Sequence, residues 1–141
     1  MENFIISADK TKLDLSVIHD YLSQDSYWAK GIPLHIVERA IDNSLCFGVY
    51  EADKQVGFAR VITDCATFAY LADVFILPEY RGKGLSKQLV QYIKSYPDLQ
   101  GLRRWMLATV DAHGLYEQYG FKVISTPERF MEIKNPNIYL N

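Results

Sequence analysis

From Val74 to Lys87 the chain reads Val-Phe-Ile-Leu-Pro-Glu-Tyr-Arg-Gly-Lys-Gly-Leu-Ser-Lys, and here residue types and spacing first suggest chemistry. An apolar run stops at Pro78, and glycines at 82 and 84 precede a segment of helical period. A helix that starts from such a turn has unpaired amides in its first turn and the positive end of its dipole behind them. Glycines permit positive φ and a close ligand approach. Arg81, Lys83 and Lys87 add charge. The combination can cradle a pyrophosphate on the amides of Gly82, Lys83, Gly84, Leu85, Ser86 and Lys87. A plain strand-to-helix turn with surface cations would have the same composition, so the turn alone leaves both readings. A Walker loop is excluded, because neither glycine is followed five residues later by Gly-Lys. The dinucleotide fingerprint would need glycine where Lys87 stands.

Other residues invite chemistry one at a time. Asp73 interrupts an apolar strand, where an unpaired carboxylate is costly. It either faces a cleft, as a base or an ammonium binder, or it pairs with Arg60 or Arg104 or bonds to backbone. Tyr27 and Trp28 form an aromatic pair beside Lys30 and Gly31, suited to an apolar or cationic group, although Trp28 could equally plug the core. His19, His35 and His113 have no metal-ligand spacing with cysteines or carboxylates, so no metal site is expected. His113 opens a short helix, for which Asp111 is a candidate cap.

These residues need elements to hold them. Phe4–Ser7 reads as a first strand and residues 14–23 as an amphipathic helix, with Leu15, Ile18, Tyr21 and Leu22 at helical spacing. Pro33 can open a second helix, which ends before Asn43-Ser44. The period then changes: Leu45–Tyr50, Val56–Thr63 and Thr67–Leu77 read as three strands joined by tight turns. The helix after Gly84 has Leu85, Leu89, Tyr92, Ile93 and Tyr96 on one face, with Lys87, Gln91 and Lys94 toward water, and stops at Pro97. Arg104–Thr109 is the next strand, Ala112–Tyr119 a short helix closed by Gly120, and Phe121–Ile124 and Arg129–Ile133 two last strands. The expected architecture is α/β: a mixed sheet, antiparallel first, with a parallel β-α-β unit from Thr67 to Thr109 and helices on both faces.

Composition sets bounds. The 141 residues suit a single domain spanning 1–141, and 49% hydrophobic with 23% charged residues is ordinary for a soluble globular chain. A net charge of −2 gives no basic field for nucleic acid or acidic membranes. No apolar run approaches the roughly 20 residues of a membrane span, and the N-terminus has no secretory pattern. Cys46 and Cys65, without C-x-x-C spacing, point to reduced, partly buried thiols and a cytoplasmic setting.

Two motifs in order then carry a resemblance. Arg81-Gly-Lys-Gly84-Leu-Ser86, preceded by Leu77-Pro-Glu-Tyr80, is similar to the [QR]-x-x-G-x-[GA] cofactor motif of the GNAT acetyltransferases. Leu115-Tyr116-Glu-Gln-Tyr-Gly120-Phe121 matches that family's L-Y-x-x-x-G-F signature, one helix and one strand further on. The last cofactor-motif position is Ser86 where the family has glycine or alanine. The resemblance covers Leu45 to Ile124. It implies acetyl-CoA as acetyl donor, with its pyrophosphate on the Gly82–Lys87 amides and its pantetheine arm along Val74, Phe75 and Ile76. It implies a gap where that strand and Arg104–Thr109 splay apart. It also implies Tyr116 as the acid that protonates the departing thiolate (or, alternatively, as a packing residue) and the Tyr27–Trp28 loop as a wall of the acceptor pocket. The expected reaction is N-acetylation by direct attack of an amine in a ternary complex, consistent with the lack of cysteine in either motif. Asp73 is the candidate base, and a homodimer is a further family expectation. A non-catalytic coenzyme A sensor, or an interaction module on the same fold, is the alternative.

Overall fold

The computed structural model describes residues 3–140. Among these, five strands form one sheet in the order β1-β2-β3-β4-β5. They are β1 (Phe4–Ser7), β2 (Leu45–Glu51), β3 (Lys54–Thr63), β4 (Phe68–Ile76) and β5 (Arg104–Leu107). The first four pair antiparallel, and β4 pairs parallel with β5. The α/β architecture with a parallel unit at one end is therefore as the sequence suggests. Helices α1 (Leu15–Asp20), α2 (Leu34–Asp42), α3 (Leu85–Lys94) and α4 (His113–Glu117) complete the frame. Among the described residues no helix is long and apolar enough to cross a membrane.

Period-two alternation along the strands divides the core between the two faces. Phe47, Val49, Ala59 and Val61 pack with Leu85, Leu89 and Ile93 of α3. Cys46, Phe58 and Phe75 pack with Ile18, Leu22, Val37 and Ile41 of α1 and α2. The start of α1 is tied to the sheet by buried Gln55, whose Oε1 accepts from the Asp14 amide at 2.7 Å while its Nε2 donates to the Gly57 carbonyl at 3.0 Å. Asp14 in turn caps α1 by accepting from the Ser16 and Val17 amides.

The helix expected over 14–23 changes pitch midway. After Asp20 the backbone widens into a π-helical turn, Tyr21–Asp25, closed by the Ser26 amide on the Tyr21 carbonyl at 2.9 Å. The wider turn accompanies a stack of Tyr21 on Phe75, with centroids 4.1 Å apart.

Several expectations need correcting. Phe121–Ile124 and Arg129–Ile133 form no strands: residues 121–126 and 130–135 are irregular, with one turn of 3-10 helix at Pro127–Arg129 between them. A strand exists only when its backbone groups meet a partner, and neither segment pairs with a strand of the sheet. β5 stops at Leu107, so Thr109 lies beyond the strand, where its Oγ1 accepts from the Ala112 amide. Ala112 rather than Asp111 stands at the cap of α4. Lys94 is not simply hydrated, because its ammonium lies 5.1 Å from the Trp105 ring centroid. Cys46 is buried, but Cys65 is exposed.

Candidate active site

Strands β4 and β5 pair only from Phe68 opposite Arg104 to Leu71 opposite Leu107. Past that point β4 continues to Ile76 with β3 on one side and no strand on the other. The gap expected between these strands is thus present, and Val74, Phe75 and Ile76 lie on the free stretch.

A β-bulge marks the parting. Arg60 faces Ala72 and Phe58 faces Phe75, so β4 carries one residue more than β3, and Asp73 takes φ +55°. A non-glycine residue at positive φ persists where its surroundings hold it. Here the Arg60 Nε donates to Asp73 Oδ2 and the Trp28 indole to Oδ1, both at 2.8 Å. The Arg60–Asp73 side chains are 17% and 11% exposed, so the pair is largely sheltered, and Arg60 also donates to Ser44 Oγ at 3.1 Å. Both carboxylate oxygens are engaged by cationic or N–H donors. Of the pairings offered in the sequence, the one with Arg60 is formed, and Asp73 also lines the cleft.

The Trp28 bond brings the loop after the π-helical turn over the gap. Tyr27 stands edge-to-face on Trp28 at 5.0 Å, and its hydroxyl accepts from the Val110 amide at 3.2 Å. This stitches the loop to the chain beyond β5. Both rings keep substantial exposure, 57% for Tyr27 and 41% for Trp28, so Trp28 is no core plug.

At the far end of β4, Gly82 and Gly84 adopt φ +82° and +78°, and a Cβ at either would meet nothing within 4 Å. The glycines serve the backbone path, and the space above them is open. Gly84 caps α3, whose first helical bond runs from the Gln88 amide to the Gly84 carbonyl. The amides of Leu85, Ser86 and Lys87 therefore have no partner within the helix. Arg81 behaves differently from the sequence reading. Its guanidinium folds back, donating to the Ile76 carbonyl at 3.0 Å and the Tyr21 hydroxyl at 2.9 Å. Its role here is to fasten the turn to β4 and the π-helical turn.

Helix α4 brings Tyr116 to the wall of the gap. The side chain is 8% exposed, and its ring lies edge-to-face on Phe121 at 5.9 Å. Burial first, then the nearby Tyr27 and Asp111, pushes the phenol up to about 12, so it keeps its proton through the neutral range. Tyr119, one turn on, donates to the Lys87 carbonyl at 3.1 Å and ties α4 to α3.

Of these residues Tyr27, Trp28, Arg60, Asp73, Val74 and Tyr116 line a cavity of about 800 Å³, whose walls do not include the Gly82–Lys87 turn. Its remaining wall includes Lys134, Asn135 and Tyr139, which the sequence did not flag. The tail returns because Gly31, at φ +78°, leaves room for it: a Cβ there would come within 3.0 Å of the Tyr139 carbonyl. No local pattern announces such a contact.

The sequence model of the acetyltransferase (GNAT) domain matches residues 42–123, which carry β2 to α4 and both motifs. The chain belongs to the GNAT acetyltransferase family. A Gibberella zeae protein named as an acetyltransferase is 35% identical to this GNAT chain over 136 residues, covering 81% of it and 76% of the relative. A Xanthomonas campestris pv. campestris structure assigned to the GNAT family is 55% identical, with a TM-score of 0.97 over 100% of this chain and 99% of that one. A Clostridium acetobutylicum structure solved with acetyl-CoA has a TM-score of 0.66 at 13% identity, covering 95% and 96%, a likeness of fold alone.

Proposed function

We propose that this GNAT acetyltransferase uses acetyl-CoA as donor and acetylates the amine of its acceptor by direct attack in a ternary complex. The observation that carries the reading is the free edge of β4, which borders the Tyr116 cavity at Val74 and leads along the chain to the open space above Gly82 and Gly84. The fit to the donor is chemical. The amides from Gly82 to Lys87 and the dipole of α3 suit a pyrophosphate, and the glycines place no side chain in the way. Val74, Phe75 and Ile76 lie where β4 has no β5 partner, so this edge can meet the amides of a pantetheine arm as an added strand would, with the Ile76 carbonyl already accepting from Arg81. Ser86 lies in the first turn of α3 and still offers its backbone amide, so its hydroxymethyl group in place of hydrogen or methyl is compatible with this use. When bound, the donor supplies a thioester carbonyl open to nucleophilic attack.

The remaining roles fall to side chains. Tyr116, protonated at neutral pH, donates to the departing sulfur. Asp73 is a positioning residue more than a base, because both oxygens accept from Arg60 and Trp28. The three hold the bulge of β4 and the aromatic loop in register, and the negative charge of the carboxylate remains near the acceptor cavity. Tyr27 and Trp28 offer exposed ring faces to the acceptor. Its amine must arrive neutral, or lose its proton to water in the cavity.

A panel of primary amines with acetyl-CoA, followed by release of free thiol, tests this reading. Thiol release that depends on one amine class supports it. Tight acetyl-CoA binding with no thiol released by any amine would instead favour a coenzyme A-binding sensor.

A further inference from the structure

Behind Trp28 a second cavity of about 220 Å³ lies between helices α1 and α2 and the sheet. Ile18, Leu22, Val37 and Phe58 line it, and none of them is more than 2% exposed, so the core itself fixes the wall. Val37, Ala40 and Ile41 stand at i, i+3 and i+4, which sets them on one side of α2. Ala40 is the small member of that row. Protein interiors leave few voids larger than a water molecule. This one has room for about seven water-sized groups at roughly 30 Å³ each.

The cavity is continuous with the catalytic cleft. Trp28, Arg60, Asp73 and Tyr139 line both it and the 800 Å³ cavity, so the two share a boundary at the Asp73 carboxylate. Among the described lining residues of the small cavity, Asp73 and Arg60 carry the only formal charges, and they are bonded to each other at 2.8 Å. A carboxylate has about four acceptor positions. The Arg60 and Trp28 donors engage one on each oxygen, which leaves the carboxylate able to accept from an ammonium at the boundary. Beyond that boundary the wall is hydrocarbon. Trp28 forms the sill between the two cavities, whereas Tyr27 lines the outer one alone.

We infer that the acceptor is a primary amine with a compact apolar group, whose hydrocarbon fills the cavity between α1 and α2 while its nitrogen stays at Asp73 in the larger cavity. The inference rests on the acetyl-transfer reading and adds what the site selects. A branched pentyl chain or a single phenyl ring matches the room available, and a fused double ring exceeds it. A second charged group at the far end of the acceptor would leave water for a wall that offers it no partner, which is costly. Diamines are therefore poor acceptors. Each methylene taken from water into such a wall strengthens binding roughly fourfold.

Calorimetry of ethylamine, isopentylamine, phenethylamine, naphthylethylamine and diaminobutane against the full chain saturated with coenzyme A reads acceptor binding without transfer. Thiol release from acetyl-CoA with the same amines reads turnover. Isopentylamine and phenethylamine should bind at least tenfold more tightly than ethylamine, with naphthylethylamine and diaminobutane no tighter than ethylamine, and kcat/KM should follow the same order. Ala40→Phe, which fills the cavity, should bring the affinity ratio of isopentylamine to ethylamine close to one. Ile36→Ala enlarges the cavity and should raise naphthylethylamine affinity relative to phenethylamine; it carries the test if circular dichroism shows Ala40→Phe unfolded. Equal or undetectable binding across the panel overturns the inference, as does tighter binding of diaminobutane. So does a wild-type preference that survives in folded Ala40→Phe, or an unchanged preference in Ile36→Ala. Thiol release without the apolar preference overturns this inference and leaves acetyl transfer standing. The apolar preference in binding, with no thiol released by any amine, overturns acetyl transfer and leaves the ligand class standing.

Discussion

Two of the open sheet edges among the described residues, those of β4 and β5, differ in their surroundings. The free edge of β4, from Ala72 to Ile76, runs from the engaged carboxylate of Asp73 toward a turn with open space above Gly82 and Gly84. The free edge of β5 runs beside Val123, and the chain beyond Phe130, whose ring lies on Arg104, leaves Met131 and Ile133 unburied. A strand edge presents the same N–H and C=O groups wherever it occurs, so its flanks decide what it can hold. Polar amides and a helix N-terminus at the end of an edge suit a ligand with a charged head and an amide-bearing arm. Apolar side chains along an edge suit another strand of protein. The two edges lie on either side of β5, and Tyr116 stands in the wall between them.

The substitution with the largest expected effect acts at that wall. Tyr116→Phe keeps the ring against Phe121 and removes the proton donor. Turnover should fall roughly 10²-fold or more, the scale of one positioned acid, with acetyl-CoA affinity within a few-fold of wild type. Wild-type turnover under conditions where chemistry limits would make Tyr116 a packing residue. Next comes Gly84→Asp, which forces a side chain onto a residue at φ +78° and sets a carboxylate at the α3 terminus. Calorimetry should show acetyl-CoA binding weakened at least tenfold, about 1.4 kcal/mol. Unchanged affinity would mean that the polar edge is not the donor site.

A smaller effect is expected at the bulge. Asp73→Asn still accepts from Trp28 but leaves the Arg60 guanidinium without its counter-charge. The loss should be on the order of 2 kcal/mol of stability, with turnover reduced much more than donor affinity. A lower melting temperature with full turnover would restrict the Arg60–Asp73–Trp28 set to a purely structural role. The smallest effect is a matter of pH. Burial raises Tyr116 to about 12, and Tyr50 likewise to about 12. Their folded values exceed the unfolded value of about 10, so their contribution to stability is complete below pH 10 and is lost as pH rises toward 12. Melting temperatures should decline over that window, and Tyr116→Phe should shallow the decline. An unchanged slope in the variant would contradict the burial assigned to this phenol.

The polar edge was largely legible in the sequence, and the apolar one was not. Gly82 and Gly84 announce a left-handed turn because almost no other residue takes that backbone without strain. The turn is local, so four or five residues suffice to specify it. Arg81 shows the limit even there: its position was legible, but its partners, the Ile76 carbonyl and the Tyr21 hydroxyl, depend on a π-helical turn sixty residues upstream. Asp73 was marked by its cost inside an apolar strand, and only the bulge register shows that Arg60 lies opposite. Val123, Met131 and Ile133 have the composition of strands, but strand formation depends on a partner that alternation cannot name. Lys134 and Tyr139 reach the cavity through Gly31, a long-range contact that leaves no local trace.

The central claim is that the donor lies along the free edge of β4 with its charged end on the first turn of α3. Hydrogen exchange with and without acetyl-CoA tests it most directly, read at the amides of Val74 to Ile76 and Gly82 to Lys87. The account predicts that acetyl-CoA slows exchange in both segments together, and that Gly84→Asp abolishes the protection in both. Saturating acetyl-CoA that leaves both segments unchanged, or that protects residues 104–109 and 121–126 instead, would contradict it.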